Sequence, residues 1–210
     1  MPALVNVVGN LLEYEAAQFI LHQCNCLTVK SHGLALAIAT KWPKCDPYAI
    51  RYPIKPEKNL AALGSRSKPG TILPLGRVIC MFAQWRPGRL TAKYFIAYPE
   101  YESAPETSEQ RLVWFRECLA NVASYLKQEK PDTKIVAVPH GIGCGMAGGD
   151  WLKYEPILEE WAEKHKNDWA VHVVNLAEGA ASPPLPPPPP IQDKPQGGTK
   201  RKIEMVRGAN

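Results

Sequence analysis

The segment Val138-Pro139-His140-Gly141-Ile142-Gly143-Cys144-Gly145-Met146-Ala147-Gly148-Gly149-Asp150-Trp151 constrains this chain more than any other. A short apolar stretch precedes it, Lys134 to Val138, which reads as a buried strand, and a helical pattern follows from Trp151 to Lys166. Five glycines between a strand and a helix exceed what a tight turn needs. They leave backbone N–H groups unblocked by side chains, next to the partial positive charge of a helix N-terminus. Such a turn is a phosphate cradle, and it points to a phosphorylated small molecule as ligand.

The remaining pattern alternates strands and helices. Ala3 to Val8 reads as a strand broken by Gly9-Asn10, and Glu13 to Gln18 as a short helix or loop. Phe19 to Cys24 reads as a strand buried on both faces. A helix over Leu34 to Lys41 stops before Pro43, because a residue preceding proline is driven out of the helical region. Pro43 to Lys68 has no period and reads as irregular. Gly70 to Leu75 and Val78 to Phe82 read as two strands joined at Gly76, and Arg86 to Gly88 as a turn. A short strand is expected over Lys93 to Tyr98. Leu112, Phe115, Leu119, Val122 and Leu126 recur at helical spacing, which predicts a helix over Glu109 to Lys127 with Ser108 as its N-cap. A last strand is expected over Trp169 to Leu176. The expected architecture is α/β with a mixed sheet, whose ligands sit at the carboxyl ends of the strands.

Composition adds limits. A net charge of +5 over 210 residues is too small and too dispersed to make nucleic-acid binding the main function. No segment has the apolar length of a membrane span. Cys24, Cys26, Cys45, Cys80, Cys118 and Cys144 form no C-x-x-C pair. With no secretory signal in front, they are expected to be reduced thiols of an intracellular protein, cytoplasmic or nuclear. After Leu176 the composition shifts to Pro183-Pro184-Leu185-Pro186 and a proline run to Pro190, then to Lys200-Arg201-Lys202. Residues 177–210 are expected to be a disordered tail offering a polyproline-binding partner its PxxP segment.

Three separated segments, in order, resemble the macro domain, the ADP-ribose-binding α/β module. They are Val7-Val8-Gly9-Asn10-Leu11-Leu12, Ile20-Leu21-His22-Gln23-Cys24-Asn25-Cys26 with its loop to Gly33-Leu34-Ala35, and the glycine turn Ile142 to Asp150. The strand Ile79 to Gln84 falls between them as the family requires, and the resemblance spans Leu4 to Leu176. It implies a macro-type three-layer α/β/α fold with a mixed central sheet over residues 1–176, acting as a monomer. His22-Gln23-Cys24-Asn25-Cys26 is most similar to the His-x-Cys-Asn-Cys run of the fungal ADP-ribose 1″-phosphate phosphatase branch. That likeness implies a metal-independent phosphomonoesterase that removes the terminal phosphate of ADP-ribose 1″-phosphate. The alternatives in the same ligand class are de-ADP-ribosylation, deacylation of O-acyl-ADP-ribose, and non-catalytic reading of ADP-ribose.

The resemblance also implies where contacts lie. Gly9, Asn10 and Leu11 would meet the adenine end. Cys24, Asn25, Lys30, Ser31, His32, Gly33 and Leu34 would surround the distal ribose and terminal group. Ile142, Gly143, Cys144, Gly145, Met146, Ala147 and Gly148 would lie along the pyrophosphate. The chain departs from the family at three places. Leu27 to Gly33 is poor in glycine, Ala147 stands where an aromatic covers the ribose, and Gln84 stands near the lysine of one de-ADP-ribosylating branch. An amide cannot form a covalent lysyl adduct, so that route is disfavoured.

Residue chemistry narrows the roles. His22 is the candidate catalytic residue, as acid/base or nucleophile. A phosphoryl transfer through a loose transition state needs charge neutralisation, which a protonated histidine, backbone N–H groups and Lys30 would supply. The amide of Asn25 can bond two ribose hydroxyls. His22, Cys24 and Cys26 share one strand face, but residues two apart lie about 6.5–7 Å apart, wide for one tetrahedral zinc. No metal or cofactor is expected. Cys144, near a helix N-terminus, would have its thiol lowered, although the loop lacks the arginine of a Cys-x5-Arg phosphatase. Asp150 is expected to cap the following helix, and Glu106 and Glu109 to complement the N-terminus of theirs. Trp42, Trp85, Trp114 and Trp151 are expected in packing.

Overall fold

A computed structural model describes residues 3–56, 58–90, 106–130 and 134–176. The expected strand over Lys93 to Tyr98 and the proline-rich and basic tail lie outside these residues. Six strands, β1 (Leu4–Val8), β2 (Phe19–Asn25), β3 (Ile72–Leu75), β4 (Val78–Gln84), β5 (Ile135–Pro139) and β6 (Ala170–Asn175), form one sheet in the order β1-β6-β5-β2-β4-β3. All neighbours are parallel except the hairpin of β3 and β4, so the sheet is mixed, as expected.

Sequence explains which strands are central. β2 and β4 are buried at every residue; β4 is a near-continuous apolar run, the mark of a strand covered on both faces, and β2 opens as one, Phe19 to Leu21, before His22, Gln23 and Asn25 carry polar groups toward its carboxyl end. Phe19 meets Tyr125 of α2 (Ser108–Glu129), with ring centroids 5.8 Å apart. Its neighbour Ile20 faces the other way, into a cluster with Leu11, Ala137 and Val174, against which Leu34 and Trp42 at the two ends of α1 (Leu34–Lys41) pack. Successive strand residues point to opposite faces, so helices cover both sides and the fold has three layers. α3 (Trp151–Lys164) lies beside α2, and Phe115 of α2 meets Tyr154 of α3 edge-on at 4.8 Å.

Several boundaries differ from the sequence reading. The N-cap of α2 is Thr107, whose hydroxyl accepts from the Gln110 N–H at 3.0 Å, and Ser108 is the first helical residue. Both residue types cap well; Thr107 has the extended backbone a cap needs. α3 ends at Lys164, and β6 runs from Ala170 to Asn175. The stretch after Asn10 is a single 3-10 turn, Leu11–Glu13, capped by the Asn10 side chain, which accepts from Leu12 N at 3.0 Å. The irregular region holds two more such turns, Pro43–Cys45 and Leu63–Ser65. Among the described residues no helix is long and apolar enough to cross a membrane.

Candidate functional site

Parallel strands β2, β4 and β5 end side by side, and their carboxyl ends open into a cavity of about 360 Å³. β2 brings His22, Gln23 and Asn25 to its wall, β4 brings Gln84, and β5 brings Pro139 with His140 just after it. The start of α1 adds Leu34 and Ala35, the loop before it adds Lys30 and His32, and the turn after β4 adds Pro87 and Gly88. The glycine turn forms the opposite side with Gly141, Ile142, Gly143, Gly145, Met146 and Ala147. This is the crevice at the carboxyl ends of the strands where α/β sheets take ligands.

Hydrogen bonding within the glycine turn is selective. The N–H groups of Ile142, Cys144, Gly148 and Gly149 donate to backbone carbonyls of the turn itself or of Pro139 just before it. Those of Gly141, Gly143, Gly145, Met146 and Ala147 have no partner among the described residues, and all five residues line the cavity. Backbone donors kept out of internal bonding around a concavity form an anion cradle. Gly143 makes the turn possible: its φ is +77°, and a Cβ there would lie 2.7 Å from Gln23 Oε1 and from Tyr154 Cε1.

The charge of the wall matches that cradle. His22, Lys30, His32 and His140 line it, and no Asp or Glu is among its described lining residues. His22 is buried, and its Nε2 has no hydrogen-bond partner among the described residues. An unpartnered buried polar atom costs about 1–3 kcal/mol. Such an atom calls for an explanation, and a ligand or a catalytic role is one. Behind His22 the thiols of Cys24 and Cys80 meet; the hydrogen bond to Cys24, with burial, pushes the Cys80 thiol up, so it stays protonated.

The loop from Asn25 to Lys30 keeps its shape without many glycines. Asn25 Oδ1 accepts from Leu27 N, Thr28 N and the Thr28 hydroxyl, at 3.0, 2.8 and 3.1 Å. Its Nδ2 donates to the Tyr48 hydroxyl at 3.3 Å. The Asn25 carbonyl is thus spent on an Asx turn, which leaves one Nδ2 hydrogen for the cavity. Arg51, buried, donates to Thr28 O at 2.7 Å and to Asn25 O at 2.9 Å. Burial draws its guanidinium down from the ordinary value, while the Tyr48 and Phe82 rings face it at 4.9 and 5.4 Å. Asn59 Oδ1 accepts from Val29 N and Lys30 N, which fixes the backbone from which Lys30 reaches the cavity.

The structure brings together His22, Asn25, Lys30, His32, Leu34, Ile142, Gly143, Gly145, Met146 and Ala147. Cys24, Ser31, Gly33 and Cys144 do not line this cavity. Cys24 is enclosed in the core, and Gly33, at φ +56°, packs against Met146, whose Sδ would sit 3.0 Å from an added Cβ. Gly148 lines a second hollow of about 340 Å³ between the starts of α2 and α3. Gly9, Asn10 and Leu11 lie at the carboxyl end of β1, on the same sheet edge but outside this cavity. Two expectations about charge are corrected. Burial, with the Asp150 carboxylate adding to it, pushes the Cys144 thiol up to about 11 instead of lowering it. Glu106 does not serve the dipole of α2: its side chain is enclosed and bonded to Trp85 N, Arg86 and Arg111. Asp150 does cap α3, accepting from Leu152 N at 3.1 Å. Trp85 and Trp114 are buried, and Trp151 packs against His140 at 4.9 Å. No group of three or more His, Cys, Asp or Glu among the described residues is placed to hold a metal ion.

Gln23, Tyr48, Arg51, Asn59, Arg111 and His140 were not legible as site residues. Arg111 had a signal: it stands at the head of the stripe Phe115, Cys118, Val122 on α2, where a charge on an apolar face must be buried with a partner.

No family model matches the chain, and no curated protein does. Among solved structures the fold is similar to the macrodomain of Mycobacterium tuberculosis DarG, with TM-score 0.55 and 18% identity, covering 82% of this chain and 96% of that one. It is similar to the macrodomain of Thermus aquaticus DarG, with TM-score 0.52 and 18% identity, over 81% and 97% of the two chains. It is also similar to an alphavirus P23pro-zbd structure, with TM-score 0.51 and 18% identity, over 83% of this chain and 22% of that one. At these identities the likeness is one of fold: the described residues adopt the macrodomain fold.

Proposed function

We propose that this chain binds ADP-ribose derivatives in the cavity at the ends of β2, β4 and β5, and removes the terminal phosphate of ADP-ribose 1″-phosphate. The observation that carries the proposal is the row of N–H groups at Gly143, Gly145, Met146 and Ala147 that have no partner among the described residues, facing a wall whose described residues are basic and include no carboxylate. Anionic oxygens are what such a wall accepts. The macrodomain fold and the His22-Gln23-Cys24-Asn25-Cys26 run point to the same ligand class.

In this reading the glycine turn holds the diphosphate, and Asn25 with the loop to Gly33 takes the distal ribose. Lys30 and His32 neutralise the terminal phosphate, and Asn10 and Leu11 meet the adenine beyond the cavity. Water attacks phosphorus, the bond from phosphorus to the anomeric oxygen breaks, and phosphate and ADP-ribose leave. His22 moves the proton between water and leaving oxygen, or attacks phosphorus itself and is released by water. Charge neutralisation by the cradle and Lys30 carries more of the acceleration than the strength of any nucleophile.

A binder without turnover is the second reading. The enclosure that leaves His22 Nε2 without a partner also keeps it from solvent in the free protein, so ligand contact there requires the ring to turn or the wall to open. A panel separates the readings: purified protein against ADP-ribose 1″-phosphate, O-acetyl-ADP-ribose and ADP-ribosylated protein. Phosphate release from the first alone supports the proposal. Release of ADP-ribose from the third alone, or calorimetric ADP-ribose binding with no turnover of any, refutes it in favour of the corresponding alternative.

A further inference from the structure

Two loops make one jaw of the cavity, and a single buried side chain ties them. Pro87 and Gly88 come from the turn after β4, and Ala147 from the glycine turn. Arg111 of α2, 3% exposed, donates through the same Nη1 to Gly88 O at 3.0 Å and Ala147 O at 2.9 Å. Its Nη2 donates to Arg86 O at 3.2 Å, and its Nε to Glu106 Oε1 at 2.8 Å. Glu106 completes the brace by accepting from Trp85 N at 2.8 Å and from Arg86 N and Nε, both at 3.1 Å. The loops also interlock directly: a Cβ at Gly148 would strike Arg89 Cγ at 2.5 Å, and one at Gly88 would touch Met146 O at 3.9 Å.

We infer that Arg111 is a positioning residue for the anion cradle. A trans peptide holds its C=O and N–H pointing oppositely. By taking the carbonyls of Gly88 and Ala147 into the protein, Arg111 keeps two acceptors out of the cavity. The N–H groups of those two peptides are those of Arg89 and Gly148, and Gly148 N–H donates to Gly145 O, so Arg111 anchors the end of the turn and, through it, the segment from which Gly145, Met146 and Ala147 present theirs. Arg111 is not among the residues that line the cavity and acts through these two loops. A planar guanidinium does this where an ammonium cannot, because the fork reaches the carboxylate and the carbonyls at once. The inference that this jaw grips a diphosphate rests on the ADP-ribose reading; the brace itself does not.

The test is Arg111→Lys, which keeps the buried charge opposite Glu106, beside the double variant Glu106→Gln/Arg111→Met, which removes both charges. Each is measured in the full chain well below its thermal transition, so that a loss of stability does not mimic a loss of binding. Two readouts are used: amide hydrogen exchange of the free protein and calorimetric affinity for ADP-ribose. The expected result is faster exchange confined to residues 86–89 and 143–148, with ADP-ribose bound at least about tenfold more weakly. Unchanged affinity in a folded Arg111→Lys protein that exchanges as wild type overturns the inference. If wild type does not bind ADP-ribose, the ligand reading fails on its own and exchange alone decides: a rise confined to the two loops upholds the brace, and no rise overturns it. If neither variant folds, exchange in wild type decides, since a brace requires the amides bonded within the glycine turn, Cys144 and Gly148, to be protected like those of α2.

Discussion

At the scale of single residues, the site depends on backbone that only glycine tolerates. Gly143 sits at φ +77° directly over Gln23 and Tyr154. Gly143→Ala adds left-handed strain of about 1–2 kcal/mol and a methyl group with nowhere to go. The turn should shift, and the Gly143 and Gly145 N–H groups with it. Urea unfolding should show the lost stability, and calorimetry should show ADP-ribose affinity falling further than stability does. Wild-type affinity in that variant would mean that the turn does not hold the ligand. The glycines were legible because their chemistry is local. The double duty of Asn25 was not, since its partners Thr28, Tyr48 and Arg51 meet only after β2 and the following loops pack.

Elements set the second scale, where caps and cores separate stability from function. Asp150 holds the first turn of α3 and sits at the end of the glycine turn. Asp150→Ala should cost about 1 kcal/mol by chemical denaturation and also weaken ADP-ribose binding, because the cradle loses its downstream anchor. Leu119 lies on the buried face of α2, away from the cavity, at 1% exposure. Leu119→Ala should cost about 2–5 kcal/mol, yet the folded fraction should bind ADP-ribose with wild-type affinity. Equal loss of affinity in both variants would mean that binding follows global stability rather than the turn. The six strands and three α-helices among the described residues were read to within a few residues, whereas the short 3-10 turns at Leu11–Glu13, Pro43–Cys45 and Leu63–Ser65, too brief to show a period, were not. Caps were less legible, because Thr107 and Ser108 have equally good side chains and only the backbone decides between them.

For the whole molecule, two histidines outside the site tune stability. His172 Nδ1 and the Tyr14 hydroxyl share a hydrogen bond at 2.5 Å, and burial lowers the His172 value from the ordinary one. Burial also lowers His165, with Lys127 adding to it against the opposing Asp168; its ring stacks on Trp169 at 4.8 Å. Groups with depressed folded values bind protons more readily when unfolded. Their contribution is complete above the unfolded value of about 6.5 and is lost as the pH falls from there through the folded value. The urea midpoint should therefore drop between pH 7.5 and 5.5, and the double variant His165→Gln/His172→Gln should flatten that slope. An unchanged slope would place the proton uptake elsewhere.

A layered α/β domain with a mixed sheet was legible from the alternation of strand and helix, whereas the three-layer arrangement followed only from the resemblance to the macro domain. What sequence hid were contacts between distant segments: Arg111 reaching Gly88 and Ala147, Arg51 reaching Asn25, and His22 enclosed beside Cys24. The central claim is that His22 and the anion cradle together dephosphorylate ADP-ribose 1″-phosphate. Inorganic phosphate released from that substrate by wild type and by His22→Ala, with ADP-ribose affinity measured on the same samples, tests it most directly. The account predicts release by wild type, and a fall of about 10²–10⁴-fold in His22→Ala at nearly unchanged affinity. No release by wild type, or full release by His22→Ala, would contradict it.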